Sequence, residues 1–183
     1  MQPKDLLKLI FELGVVARTP RTGPYHVGVT SQLTSAAHSY RAMALAYFMA
    51  CEEKADAGKV LKMCLVNDMP ESRILDNTFV QKKYFEAEKS APAVLKDQLR
   101  TLKGSDELVE LHRELREGRS LEAKIAAEAG KLETLIEAKE EMQKGNKIME
   151  RWFLGKEKEF VTKTGKELFV VLQKEDIFWW QGQ

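Results

Sequence analysis

The chain has 183 residues, 44% of them hydrophobic, and its 29 basic residues nearly cancel its 28 acidic ones. That length and apolar content suffice for one sizeable core, so residues 1–183 are expected to form a single domain. The charge balance excludes an electrostatic stripe for nucleic acid and a polybasic membrane anchor, and no window approaches the roughly 20 apolar residues of a membrane span.

The opening MQPKDLLKLIFELGVVARTPR is too polar for a signal peptide; Leu6, Leu7, Leu9, Ile10 and Leu13 instead give a first helix with a broad apolar face, and Gly14 is placed to stop it. RTPRTGPYHVGV (18–29) reads as a structured loop. Thr34 or Ser35 can cap the next helix, AAHSYRAMALAYFMACEE, whose small and apolar residues predict the centre of the core. Residues 56–68 predict another buried helix, and Pro70 can start a helix but not sit inside one, so LVNDMPESRILD sets a polar cluster at a helix junction. FVQKKYFEAEKSAP and VLKDQLRTL read as two amphipathic pieces joined near Ser90–Pro92. A short helix ends at Gly118, and Ser120 opens a long one, LEAKIAAEAGKLETLIEAKEEMQKG, too short in heptads to favour a coiled coil. The tail offers a turn at Thr164-Gly165, a final helix and Trp179-Trp180; these two and Trp152 are expected to cover the core or a subunit contact. Cys51 and Cys64 match no zinc spacing and predict buried thiols in a reducing compartment, hence the cytoplasm.

Metal sites in helical domains collect imidazole and carboxylate from several buried helices. His38, in the most buried helix, is such a candidate, with Asp68 and Asn67 closing a second helix and Glu128 on the long one. Each has a structural alternative: His38 as a hydrogen-bonded core residue, Asp68 as a cap, Glu71 as a first-turn acid, Asp76 as the cap of a helix beginning near Thr78. His26 reads equally as facing a pocket or solvent, and His112, in ELVELHREL, as a surface residue.

The stretches RTPRTG (18–23), AAHSYRAMALA (36–46), VNDMPESRILDNTFVQKKYF (66–85), EGRSLEAKIAAEAGKLETLIEA (117–138) and TGKELFVVLQKEDIFWW (164–180), in that order and spacing, make the chain resemble the HD-domain phosphohydrolases, specifically a branch of small 5'-deoxynucleotidase-like proteins. The resemblance implies an all-α fold, a single HD-domain helical bundle of about seven or more helices. It also implies one divalent metal held by a His, a His-Asp doublet and a later Asp, removal of phosphate from nucleoside monophosphates, and dimers.

Carried over by position, the resemblance puts His38 on the first ligand and Asp68 on the doublet's aspartate. Glu71 falls on a general acid or base, Asp76 on a group positioning water or a ribose hydroxyl, and Arg18 or Arg21 on phosphate oxygens. Asn67, however, stands at the doublet's histidine and Gly130 at the later aspartate. Ala37, Leu33 and Pro24 are further departures nearby. An amide oxygen is a weak donor and glycine is none, so manganese, cobalt, magnesium or zinc is expected to bind weakly or not at all. Glu128 is a poor substitute, because two residues along a helix turn a side chain about 200° away from position 130. Two readings follow: a catalytically silent protein that binds a nucleotide or a partner, as a homodimer or paired with a related HD protein, or a still-active metal-dependent nucleotide phosphohydrolase.

Overall fold

The computed structural model describes residues 2–29 and 33–182, with the side chains of 88 and 182 excepted. Eight α-helices and no strand are found among the described residues: α1 (Pro3–Leu13), α2 (Ser35–Glu52), α3 (Ala57–Asn67), α4 (Glu71–Ile74), α5 (Ala87–Leu99), α6 (Ser105–Glu117), α7 (Leu121–Gln143) and α8 (Lys163–Leu172). Four helices start on a side-chain cap: Thr34 accepts from the Ala37 amide at 3.2 Å, Asp56 from Lys59 at 2.9 Å, Ser120 from Ala123 at 3.2 Å and Thr162 from Gly165 at 3.0 Å. Each such cap stabilises its helix by about 1 kcal/mol.

The long helix α7 packs along α2, α3, α6 and α8. Small residues on both sides, Ala42, Ala46 and Ala50 on α2 and Ala123, Ala126 and Ala129 on α7, are all buried and let the axes approach closely. Met49, Val60, Met63, Ile125, Leu132, Phe160 and Phe169 fill the main core, and a second cluster of Leu9, Val66, Met69, Leu95 and Leu99 joins α1, α3 and α5. No helix of the described residues is long and apolar enough to cross a membrane.

Several expectations are corrected. Residues 87–99 form one helix through Pro92, not two pieces; the proline lies on the exposed side, where water can serve the carbonyl it leaves unbonded. The break falls earlier, at residues 75–86, where Thr78 and Gln81 cap each other around a 3-10 turn (Gln81–Lys83), so Asp76 caps no α-helix. Thr164 and Gly165 lie inside the first turn of α8, which Thr162 opens. Cys51 is exposed, and only Cys64 is buried. Trp152 is half-buried, so close over Gly23 that a Cβ there would lie 2.9 Å from its ring, whereas Trp179 and Trp180 are 66% and 54% exposed and do not cover the core.

Candidate functional site

A cavity of about 460 Å³ opens between α2, the α3–α4 junction, α5, α6 and α7. The loop before α2 is pinned to that helix's start: the Arg21 amide donates to Leu33 O at 2.9 Å and the Ser35 amide to Thr19 O at 2.8 Å. This pairing carries Arg21 to the cavity wall, where it donates to Thr134 Oγ1 at 3.3 Å and lies 3.7 Å from Asp76 Oδ2. Asp76 also accepts from the Thr22 amide at 2.8 Å. Leu75, just before it, has φ +60° and ψ 167°, a region almost reserved for glycine. That strained turn ends α4 and sends Asp76 back toward the loop.

The residues singled out in the sequence mostly converge. Arg21, His38, Asn67, Asp68, Glu71, Asp76 and Gly130 all line the cavity. Arg18 does not: it is exposed, with its guanidinium beside Gly14. His26 is also exposed and outside the lining. Glu128 is taken up elsewhere, accepting from the Val161 amide at 2.6 Å, the Thr162 amide at 3.0 Å and the Thr162 hydroxyl, which makes it the anchor of α8. His112 is 2% exposed and lines the cavity, against the expectation of a surface residue. The signal was present in the sequence, because position 112 shares one helical stripe with Leu108, Leu111 and Leu115.

His38 pairs through Nδ1 with Glu133, a carboxylate only 1% exposed that also lies 3.2 Å from Arg41 Nε. A hydrogen on Nδ1 leaves Nε2 bare on the side of position 130, where a Cβ built on Gly130 would lie 4.0 Å from it. Both oxygens of Asp68 are already engaged, Oδ1 by the Asn67 amide at 2.7 Å and Oδ2 by the Ser39 hydroxyl. Cys64 also lines the cavity, but burial, aided by the Asp68 charge, pushes its thiol up to about 12, so it supplies no thiolate. Among the described residues no three His, Cys, Asp or Glu side chains are grouped to hold a metal ion. One bare imidazole nitrogen and one occupied carboxylate do not fit a tightly held divalent cation.

Burial, then the charges of Asp68 and Asp76, raise the Glu71 carboxyl to about 8, with Ser35 and Arg21 pulling the other way. That shift favours the protonated form of Glu71. Four cationic side chains, Arg21, Lys82, Arg116 and Lys131, line the cavity together with three carboxyls; Lys131 is paired with Glu159 at 3.3 Å and Arg21 lies 3.7 Å from Asp76. A carboxyl whose native pKa exceeds its unfolded value binds its proton more tightly when folded; stability is then highest below the ordinary value near 4.5 and falls as pH rises through about 8. Glu71→Gln is expected to flatten that decline, and urea midpoints taken at intervals between about pH 5 and pH 8 will show it as a gap between the two proteins that widens with pH.

Comparison with known proteins adds the lineage. Among solved structures, the PH0347 protein of Pyrococcus horikoshii OT3 is 26% identical, with a TM-score of 0.78 over 92% of this chain and 96% of that one. A conserved hypothetical protein of Pyrococcus furiosus is 27% identical, with a TM-score of 0.79 over 92% and 99%. The AF1432 product of Archaeoglobus fulgidus, 22% identical with a TM-score of 0.65 over 96% and 99%, shares the fold. No curated protein matches the chain. The family model described as HD domain matches residues 14–168, and with this helical architecture around His38 and Asp68 the chain belongs to the HD domain family.

Proposed function

We propose that this HD-domain protein binds a nucleoside monophosphate in the α2–α7 cavity without a resident divalent metal, and is catalytically silent or nearly so. The carrying observation is the lining itself: four cations and a Glu71 carboxyl shifted toward its protonated form favour a phosphate, while Gly130 presents no donor to His38 Nε2. Arg21 offers a forked donor for phosphate oxygens, and Asp76, held by the Thr22 amide, offers an acceptor for a ribose hydroxyl. A cavity of about 460 Å³ is within the range of small-ligand sites.

One observation favours the second reading, a weak metal-dependent phosphohydrolase: the Glu133–His38 pair orients the imidazole as carboxylates orient metal-bound histidines. Two measurements separate the readings, metal content after purification and phosphate release from nucleoside monophosphates with manganese, cobalt, magnesium or zinc added. The silent reading expects little metal and no turnover, together with calorimetric nucleotide binding in the presence of a chelator. Stoichiometric metal with clear turnover would replace it by the enzyme.

For a partner, the proposal is a second copy of the chain or a related HD protein seated on the face of α1 that exposes Leu6, Leu7, Ile10 and Phe11. Phe11, 75% exposed, is the test position. Phe11→Glu is expected to shift sedimentation from dimer to monomer, and a wild-type chain already sedimenting as monomer would rule out the homodimer.

A further inference from the structure

The cavity has a second polar feature that the phosphate-binding end does not use. His112 is 2% exposed and lines the cavity, yet it makes no hydrogen bond among the described residues. With no protein partner, its ring keeps its hydrogen-bonding capacity for a molecule in the cavity. Burial, with the cation of Arg116 beside it, lowers its pKa, so the ring is neutral and presents one donor and one acceptor. The cavity lining also includes Ala91 of α5, Leu115 of α6, and Ala126 and Ala127 of α7.

Helix α7 gives the scale. It contributes Ala126, Ala127, Gly130, Lys131 and Thr134 to one wall of the cavity. Thr134 marks the phosphate end, since Arg21 donates to its hydroxyl at 3.3 Å. Only residues 118–120 separate α6 from α7, the two helices are in contact, and His112 stands as many residues before that connection as Ala126 stands after it. From Ala127 to Thr134 is seven residues, or about 10 Å of helix. The two ends are thus set apart by roughly the reach of a nucleotide from its phosphate to the far edge of its base.

We propose that His112 recognises the base of the bound nucleotide: the heterocycle lies against the alanine wall, and its polar edge exchanges hydrogen bonds with the neutral imidazole. This rests on the nucleotide-binding reading above. It assigns a role to a residue outside the His38, Asp68 and Glu71 group, and it predicts that affinity differs among bases, since one donor and one acceptor in fixed positions match some base edges and not others.

The experiment is calorimetric titration of the full chain with three probes: inorganic phosphate, the four ribonucleoside 5'-monophosphates, and the free nucleoside of the tightest of these. His112→Leu should weaken the preferred monophosphate and its nucleoside by about fivefold to tenfold, the loss of one hydrogen bond, while phosphate binding stays within about twofold. His112→Gln, which keeps a donor and an acceptor, should recover part of the loss or change the preferred base. The wild-type chain provides a measure independent of how the variants fold. It has three histidines, and the His112 ring resonances should shift with the monophosphate but not with phosphate alone. Unchanged monophosphate affinity in both variants, or His112 resonances indifferent to the nucleotide, overturns the base assignment and leaves phosphate binding standing. Absence of binding by any probe overturns the nucleotide reading and this inference with it.

Discussion

The double substitution Asn67→His with Gly130→Asp is expected to raise affinity for zinc or manganese at least about a thousandfold, from two donors to four. Room exists for it: a Cβ at position 130 meets only His38 Nε2, at 4.0 Å, so an aspartate there sets a carboxylate beside the bare imidazole nitrogen. Helix α7 tolerates the change, since glycine is already about 1 kcal/mol worse than alanine in a helix interior and aspartate is no worse than glycine. Asn67 is an exposed residue whose amide holds Asp68 Oδ1, so a histidine there releases that oxygen as it adds its own nitrogen. Without metal the variant crowds a further carboxylate near Asp68 and Glu71, which lowers its melting temperature; added metal should then raise it above that of the apo variant by mass action. Competition against a chelator gives the affinity, and thermal melts with and without metal give an independent check. No gain in either means that the site is misplaced or that the α3–α4 turn no longer permits coordination.

How far the sequence carried these conclusions depends on the range of each interaction. Local signals held: Thr34, Ser120 and the 3.6-residue periodicity set the starts of α2 and α7, and Gly118, at φ +65°, ends α6. The polar cluster at the α3–α4 junction was also legible, because Pro70 forbids α3 from continuing. Long-range effects were not legible. Glu128 looks like any charge on an amphipathic helix until α8 folds back and places the amides of Val161 and Thr162 against it, 33 and 34 residues away. Asp76 reads as a cap because Asp before Thr is a common cap pattern, but the backbone at Leu75 turns it toward Thr22, 54 residues earlier. Thr164-Gly165 reads as a turn because glycine is usually a breaker; here its missing side chain matters more than its backbone freedom.

The close approach at position 165 has a large expected effect. Gly165→Ala should destabilise the protein by about 3 kcal/mol or more, lowering the melting temperature by about 6–12 °C for a domain of this size. A Cβ at position 165 would fall well inside contact distance of Glu128 Oε2, 2.8 Å from Thr162 Oγ1 and 3.0 Å from Glu128 Cδ. An exposed glutamate would swing aside. Glu128 is 2% exposed and its carboxylate holds two backbone amides and the Thr162 hydroxyl, so moving it leaves a buried charge and the donors it served unsatisfied. A double-mutant cycle isolates this cause. Glu128→Ala alone should be severe because it removes all three bonds, but in that background Gly165→Ala should cost much less than in the wild type, since the carboxylate it collides with is gone. Equal costs in the two backgrounds would place the penalty on the alanine's remaining neighbour, Thr162, or on the helix itself. A melting temperature within about 2 °C of wild type for Gly165→Ala would mean that the Glu128 anchor does not hold α8 as described.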